Sequence, residues 1–124
     1  MAATHRYLMM AIAATVAIVV LAAGPAAAVP DDDCDVAQQA FSECVTYVVG
    51  IETSVSPRCC TALVDVKDLG ASLPQRQALC RCILSEMLAA GQVVSSRAAQ
   101  LPGACKVQVG FIPTSSDFDC STIL

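Results

Sequence analysis

Eight cysteines constrain the fold of this 124-residue chain more than any other feature of its sequence. They are Cys34, Cys44, Cys59, Cys60, Cys80, Cys82, Cys105 and Cys120. An even number of cysteines in a short chain is typical of a disulfide framework in a secreted protein. A zinc site is the alternative, but Cys80-Arg81-Cys82 is spaced more tightly than the usual pair of zinc ligands. The sequence therefore predicts four disulfides, no metal site and no free thiol, and the cysteine count leaves on the order of 100 pairings open.

The first 28 residues predict a secretory signal that is cleaved off. Arg6 lies in a short, positively charged N-terminal segment, and residues 8–23 carry no charge. The small side chains of Ala26-Ala27-Ala28 suit recognition by signal peptidase. A retained transmembrane anchor is the alternative, because the apolar run is marginally long enough to span a bilayer. We expect cleavage after Ala28 or Val29, which leaves one mature domain, residues 29–124, in the extracellular space.

The mature domain is acidic and lacks the residues that most enzymes use. Six of the seven basic residues remain after the signal is removed, against all eleven acidic ones, so the formal charge becomes −5. This charge argues against a nucleic-acid partner and against strong electrostatic attraction to anionic membranes. The single histidine, His5, falls within the signal, so the mature domain lacks the commonest general base and metal ligand. We therefore expect no enzymatic activity and no cofactor.

Helix-starting and helix-ending residues divide the mature domain into four predicted helices. They run from behind Asp31-Asp32-Asp33 to Gly50, from Ser56-Pro57 to Leu69, from Ser72 to Gly91, and from Ser95 or Ser96 to a stop before Pro102-Gly103. Ser72 and Gln75 have the spacing of a capping box. Beyond Cys105 no helical period holds, so an irregular tail is expected to lie across the helices.

Apolar residues recur at helical spacing in the first and third predicted helices. The residues predicted to face inward are Val36, Ala40, Phe41, Cys44, Val45 and Val48 in the first helix, and Leu79, Cys82, Ile83, Met87 and Leu88 in the third. With four aromatic residues and no tryptophan, the mature domain has an interior built mostly from alanine, valine and leucine. Such an interior is compatible with a cavity, but the periodicity alone favours a filled aliphatic core.

The order of the cysteines carries more information than their number. It reads C-x9-C-x14-CC-x19-C-x-C-x22-C-x14-C, with one CC doublet followed by one CxC. This order resembles the eight-cysteine pattern of plant type 1 non-specific lipid transfer proteins, in the prolamin superfamily, and fungal hydrophobins differ in having two CC doublets. Pro74–Cys82 (PQRQALCRC) and Leu101–Cys105 (LPGAC) also match the family, and the resemblance runs from Cys34 to Cys120.

The resemblance implies an all-α fold, a four-helix disulfide-stapled bundle with an irregular C-terminal tail enclosing an apolar cavity. It also implies a disulfide pairing, which is Cys34–Cys82, Cys44–Cys59, Cys60–Cys105 and Cys80–Cys120. The expected protein is a monomeric extracellular carrier, in the plant cell wall, of the acyl chains of fatty acids, lysolipids or phospholipids. It would have broad specificity and transient membrane contact.

Ten residues are expected to bind the lipid if the resemblance holds. They are Arg76, Phe111, Phe41, Leu63, Val66, Leu79, Ile83, Leu101, Val109 and Ile112. Arg76 maps to the family's arginine at the tunnel mouth, where its guanidinium suits a carboxylate or phosphate, and a salt bridge within the fold is the alternative role. Gln75 replaces the family's aspartate beside it, and Phe111 stands where a head-group-binding tyrosine is usual.

Other functions of the same superfamily are the competing hypotheses. Amylase and protease inhibitors share the cysteine framework but differ in cysteine spacing and use exposed loops. A seed storage function would predict abundant glutamine and a large variable insert, and this chain has neither. Lipid carriage is therefore the leading hypothesis, and hydrolase inhibition or defence is the alternative.

Overall fold

The computed structural model describes residues 31–124, so the predicted signal, residues 1–28, and its cleavage site lie outside the described residues. The helices are α1 (Asp31–Val48), α2 (Pro57–Leu69), α3 (Leu73–Ala90), α4 (Ser95–Cys105) and a short 3-10 helix (Cys120–Thr122). Residues 31–124 contain no strand, and the predicted all-α fold with an irregular tail after α4 is confirmed. Over the same residues, no helix has the length and apolarity needed to cross a membrane.

Helices α2 and α3 begin and end where the sequence predicts. The Ser56 hydroxyl accepts the Cys59 N–H at 3.1 Å, which satisfies a free donor at the start of α2. At the start of α3, Ser72 Oγ accepts the Gln75 N–H at 3.3 Å while Gln75 Oε1 accepts the Ser72 N–H at 2.9 Å. This reciprocal pair is the predicted capping box. Gln75 therefore uses its side chain to start the helix.

Two predicted helix boundaries were wrong. Helix α1 begins at Asp31, so the three aspartates lie within its first turn rather than preceding it, and the positive end of the helix dipole favours the negative charges of Asp32 and Asp33 there. Helix α4 continues through Pro102 to Cys105. A proline removes one backbone donor, but here the following residues close the helix, since Lys106 adopts φ 54° and the Val107 N–H donates to the Pro102 carbonyl at 3.0 Å.

Two of the predicted inward residues point outward. Val36 and Leu88 are each 48% exposed, whereas their neighbours Ala37 and Met87 are fully buried. In α1 the buried face recurs through Ala37, Phe41, Cys44 and Val48, at intervals of three and four residues, and Val36 lies beside this face. The apolar pattern of both helices is wider than the face that each buries, which is why these two predictions failed.

Four disulfides connect every helix to another, and residues 31–124 contain no free cysteine. The pairs are Cys34–Cys82 between α1 and α3, Cys44–Cys59 between α1 and α2, Cys60–Cys105 between α2 and α4, and Cys80–Cys120 between α3 and the 3-10 helix. These are the pairs that the resemblance implies. Because successive helical residues are rotated by about 100°, Cys80 and Cys82 lie on nearly opposite sides of α3 and reach different partners.

Gly70 permits a close approach between the tail and the start of α3. A Cβ atom on this residue would lie 2.8 Å from Phe111 Cε1 and 3.0 Å from Arg76 Cγ. Such distances are shorter than van der Waals contact, so only glycine allows the Phe111 ring and the Arg76 stem to meet here. The sequence predicted Gly70 only as the end of a helix.

We predict that Gly70→Ala destabilises the protein by about 1–3 kcal/mol, because the added methyl group displaces the Phe111 ring. Gly103→Ala is the matched control, since it lies in α4 with nothing within 4 Å of the added carbon. Guanidinium unfolding of the fully oxidised proteins measures both free energies. Equal stability of the two variants would contradict the prediction.

Asp119 caps the 3-10 helix and gives a pH-dependent prediction. Its carboxylate accepts the Ser121 hydroxyl at 2.6 Å and the Ser121 N–H at 3.0 Å, and these bonds lower the pKa of Asp119 below its ordinary value of 3.8. We expect its stabilising effect to be present above pH 3.8 and to be lost as the pH falls through the lowered value. A carboxyl NMR titration checks the pKa, and the stability advantage over Asp119→Ala should shrink in acid. A midpoint at or above 3.8 would contradict this.

Candidate functional site

All nine apolar residues predicted to bind lipid lie in one buried cluster. Phe41, Leu63, Val66, Leu79, Ile83 and Leu101 have no exposed surface, and Val109, Phe111 and Ile112 are at most 6% exposed. The cluster takes residues from all four helices, and the tail closes it on one side. Six of the nine predicted residues are therefore covered entirely by other protein atoms.

An open cavity of about 630 Å³ adjoins this cluster. Its lining consists of Lys67, Gly70, Arg76, Pro102, Gln108, Val109, Gly110, Phe111 and Leu124. Val109 and Phe111 belong to both the cavity wall and the buried cluster, so the two side chains separate the open space from the apolar interior. We call this cavity the mouth.

Arg76 lines the mouth and lies in the first turn of α3. Its stem packs over Gly70, and its guanidinium Nη1 donates to the Gly70 carbonyl at 3.4 Å. Within residues 31–124 this is the one hydrogen bond described for the guanidinium, which has five N–H donors in all. Arg76 therefore retains donors for an anionic group entering the mouth.

Lys67 is a second cation at the mouth, and the sequence analysis missed it. It occupies the last turn of α2, where a positive charge is favoured by the helix dipole. Its backbone carbonyl accepts the Gly70 N–H at 3.1 Å, so it stands directly before the chain reversal that leads to Arg76. The sequence signal that could have predicted this location is the position of Lys67 one turn before the glycine that ends the helix.

The mouth differs from two other cavities in its charge. A groove of about 580 Å³ between α1 and α2 includes Glu43, Arg58 and Asp65 in its lining, and a smaller one of about 310 Å³ includes Asp35 and Glu86. No aspartate or glutamate side chain lines the mouth. In a domain with eleven acidic residues, this cavity therefore combines two cations with an apolar wall.

The tail that carries Val109 and Phe111 is anchored at both ends. Disulfides tie Cys105 to α2 and Cys120 to α3. Beyond Cys120, Gln77 Nε2 donates to the carbonyls of Ser121 at 3.3 Å and Ile123 at 3.2 Å. Between these anchors the Ser116 hydroxyl accepts the Val93 N–H at 3.2 Å. The wall of the mouth is thus an irregular segment that is anchored by disulfides at both ends and packs into the buried cluster between them.

Among the described residues, no group of three or more histidine, cysteine, aspartate or glutamate side chains is placed to hold a metal ion.

Phe111 is 2% exposed, and its ring packs against Gly70. Phe111 therefore brings no hydroxyl to the mouth, and Arg76 and Lys67 are the charged side chains in its lining.

Comparison with known proteins places the chain in a family. Residues 34–120 match the protease inhibitor/seed storage/LTP family. The non-specific lipid-transfer protein of Pinus taeda is 32% identical over 90 residues, which cover 73% of this chain and 72% of the relative.

Solved structures give the same result. Non-specific lipid transfer protein 1 from barley, in complex with a lysophosphatidylcholine, is 30% identical with a TM-score of 0.63, over 73% of this chain and 98% of that chain. A lipid transfer protein complexed with palmitoyl coenzyme A is 29% identical with a TM-score of 0.58, over 74% and 99%. The chain therefore belongs to the protease inhibitor/seed storage/LTP family, and within it to the plant non-specific lipid-transfer proteins.

Proposed function

We propose that this protein binds and transfers lipids, with the acyl chain in the buried apolar cluster and an anionic head group at the mouth. The observation that carries this proposal is a cavity free of acidic side chains, lined by Arg76 and Lys67, that opens onto the cluster through Val109 and Phe111. Fatty acids, lysolipids and phospholipids share the required chemistry, which is a long apolar chain ending in a carboxylate or phosphate.

Two relatives support the ligand class. The barley relative was solved with a lysophosphatidylcholine and another relative with palmitoyl coenzyme A. Both ligands join an acyl chain to a phosphate-containing group. Their head groups otherwise differ greatly, which agrees with a site that selects for the chain.

The acyl chain has to enlarge the interior, because six of the proposed contact residues have no exposed surface. We infer that the chain enters past Val109 and Phe111, since these side chains lie between the mouth and the cluster. The tail that carries them can move outward while the disulfides at Cys105 and Cys120 hold its ends. Phe111 then acts as the movable wall of the site.

The binding energy of the chain explains broad specificity. Burying each methylene group contributes about 0.8 kcal/mol, so a chain of about sixteen carbons gains on the order of 12 kcal/mol before ordering costs. Ordering the ligand and opening the interior offset a large part of this gain, which leaves affinities around the micromolar range. An apolar interior discriminates weakly between chains that differ by one methylene.

We propose that the protein acts outside the cell, in the plant cell wall. The supporting observations are the signal predicted over residues 1–28 and the four disulfides, which persist in oxidising compartments. The mature domain, residues 29–124, would then work as a monomer without a cofactor. Sequencing the N-terminus of the secreted protein tests the cleavage site.

The carrier function is tested by ligand uptake. The oxidised protein, secreted by a eukaryotic host, is titrated with a fluorescent fatty acid and then with unlabelled lysophosphatidylcholine. Saturable uptake in the micromolar range, reversed by the unlabelled lipid, is expected. Absence of uptake, together with inhibition of an amylase or a trypsin-like protease, would overturn the carrier function in favour of the inhibitor function.

We predict that Arg76→Gln weakens binding of a lysophospholipid or fatty acid about fivefold to tenfold, because a charge-assisted hydrogen bond to the head group is lost. Lys67→Gln should weaken it less, since lysine lacks the forked donors of arginine. Arg81→Gln is the control, because it removes the same charge from an exposed position on α3. Titration calorimetry measures all three, and equal effects of Arg76→Gln and Arg81→Gln would exclude a head-group role for Arg76.

A further inference from the structure

Two loops at the ends of helices lie side by side and expose apolar side chains. The Val94 N–H donates to the Val48 carbonyl at 3.0 Å, which joins the start of α4 to the end of α1. A Cβ atom on Gly50 would lie 3.7 Å from Val94 Cγ2, and one on Gly91 would lie 3.6 Å from Val49 Cβ. Residues 49–51 and 91–94 therefore form one surface, which we call the apolar tip.

Ile51 is the most exposed part of this tip, at 70% exposure. The loop that presents it is firmly held, since the N–H groups of Ile51 and Glu52 donate to the Thr46 carbonyl at 2.8 and 3.0 Å. The Arg97 guanidinium donates to the carbonyls of Tyr47, at 3.1 Å, and Glu52, and it lies 4.8 Å from the centre of the Tyr47 ring. The Ile51 side chain is therefore held at the surface by a hydrogen-bonded loop.

Val94 stands at the start of a helix, where a polar residue is usual. It occupies the N-cap of α4 with extended backbone geometry, and its side chain makes no capping hydrogen bond. Serine, threonine, asparagine and aspartate are preferred at this position over valine. The equivalent positions of α2 and α3 are held by Ser56 and Ser72, both of which cap. Val94 therefore forgoes a capping hydrogen bond and leaves an apolar side chain 38% exposed.

The charge around the tip identifies the kind of surface that fits it. Residues 44–51 and 87–96 contain no charged side chain, and the first charges beyond them are Glu43, Glu52, Glu86 and Arg97. Three of these four are acidic, so an anionic surface would be repelled. A few apolar side chains also fall far short of the roughly 800 Å² that each partner buries in a stable protein complex. A neutral lipid surface accepts such side chains singly and has no such area requirement.

We propose that the apolar tip inserts into the surface of a zwitterionic lipid membrane. The proposal rests on the proposed carrier function, since a carrier has to meet the membrane that holds its lipid. The tip lies beyond the last turn of α3, whereas Arg76 lies in its first turn, roughly 20 Å away along the helix. The proposed membrane contact and the cationic mouth therefore lie at opposite ends of α3.

Vesicle flotation of the oxidised, secreted protein tests this surface. Wild type is expected to float with phosphatidylcholine vesicles, and replacing part of the lipid with phosphatidylglycerol should lower the bound fraction. Ile51→Ser and Val94→Ser should each reduce partitioning about tenfold, because each removes one inserting apolar side chain. Val64→Ser is the matched control, since Val64 is 43% exposed in the middle of α2, away from the tip.

Two further measurements distinguish a loss of membrane docking from a loss of folding or of lipid carriage. They are the thermal stability of each variant and its uptake of a ligand from water. Val94→Ser should keep or raise the melting temperature, because the serine hydroxyl supplies the missing cap. Both tip variants should take up a monomeric fluorescent fatty acid from water as wild type does. If wild type fails to take up that ligand while flotation still depends on the tip, the carrier function fails and the docking surface stands.

Three results would overturn the docking surface. The first is flotation of the Ile51→Ser, Val94→Ser double variant at the wild-type level. The second is binding that rises with phosphatidylglycerol and is lost in Arg76→Gln, which would move the membrane contact to the mouth. The third is a wild-type dimer that the double variant converts to monomer without any flotation of either, which would make the tip an interface between copies.

Discussion

The disulfide framework is the constraint on which the rest of this structure depends. Each helix is covalently joined to another element, so the helical arrangement is held by disulfides in addition to the packing of its interior. In the chain-entropy model, bridges that close loops of 40 to 48 residues each stabilise the fold by about 4 kcal/mol. In the proposed function, the mostly aliphatic core can then open for a ligand without unfolding. The same bridges fix both ends of the tail that forms the movable wall.

The charges of the domain are distributed unevenly around this framework. The mature domain carries a formal charge of −5, yet the lining of the mouth contains two cations and no acidic side chain. Arg76 and Lys67 come from the start of α3 and the end of α2, and Gly70 brings these helix ends together. The negative field of the rest of the domain discourages anions from binding elsewhere. In the proposed function, an anionic head group is therefore held where its chain can reach the interior.

The sequence correctly predicted those features that depend on residues close together in the chain. The caps at Ser56 and at Ser72 with Gln75 depend on residues three apart, and the structure has them as predicted. The end of α4 was mispredicted because Pro102 was read as the end of the helix, whereas the helix continues through it and closes at the left-handed Lys106. Spacing alone could not give the disulfide pairing or the role of Gly70, because the ring that requires a glycine there is 41 positions further along the chain, at Phe111. Lys67 was visible as a helix-ending cation, but its site depends on that same distant contact.

The two ends of α3 thus present opposite chemistry, with a cationic mouth at Arg76 and an uncharged tip beyond Gly91. Folding stability explains the glycine at residue 70, because a Cβ there would clash with the Phe111 ring, but it does not explain Val94, since a serine at residue 94 would cap α4. Val94 departs from what an N-cap position prefers, and it lies at the surface that meets lipid in the proposed membrane docking. Such conflicts between local preference and the observed residue are where function is expected to override folding.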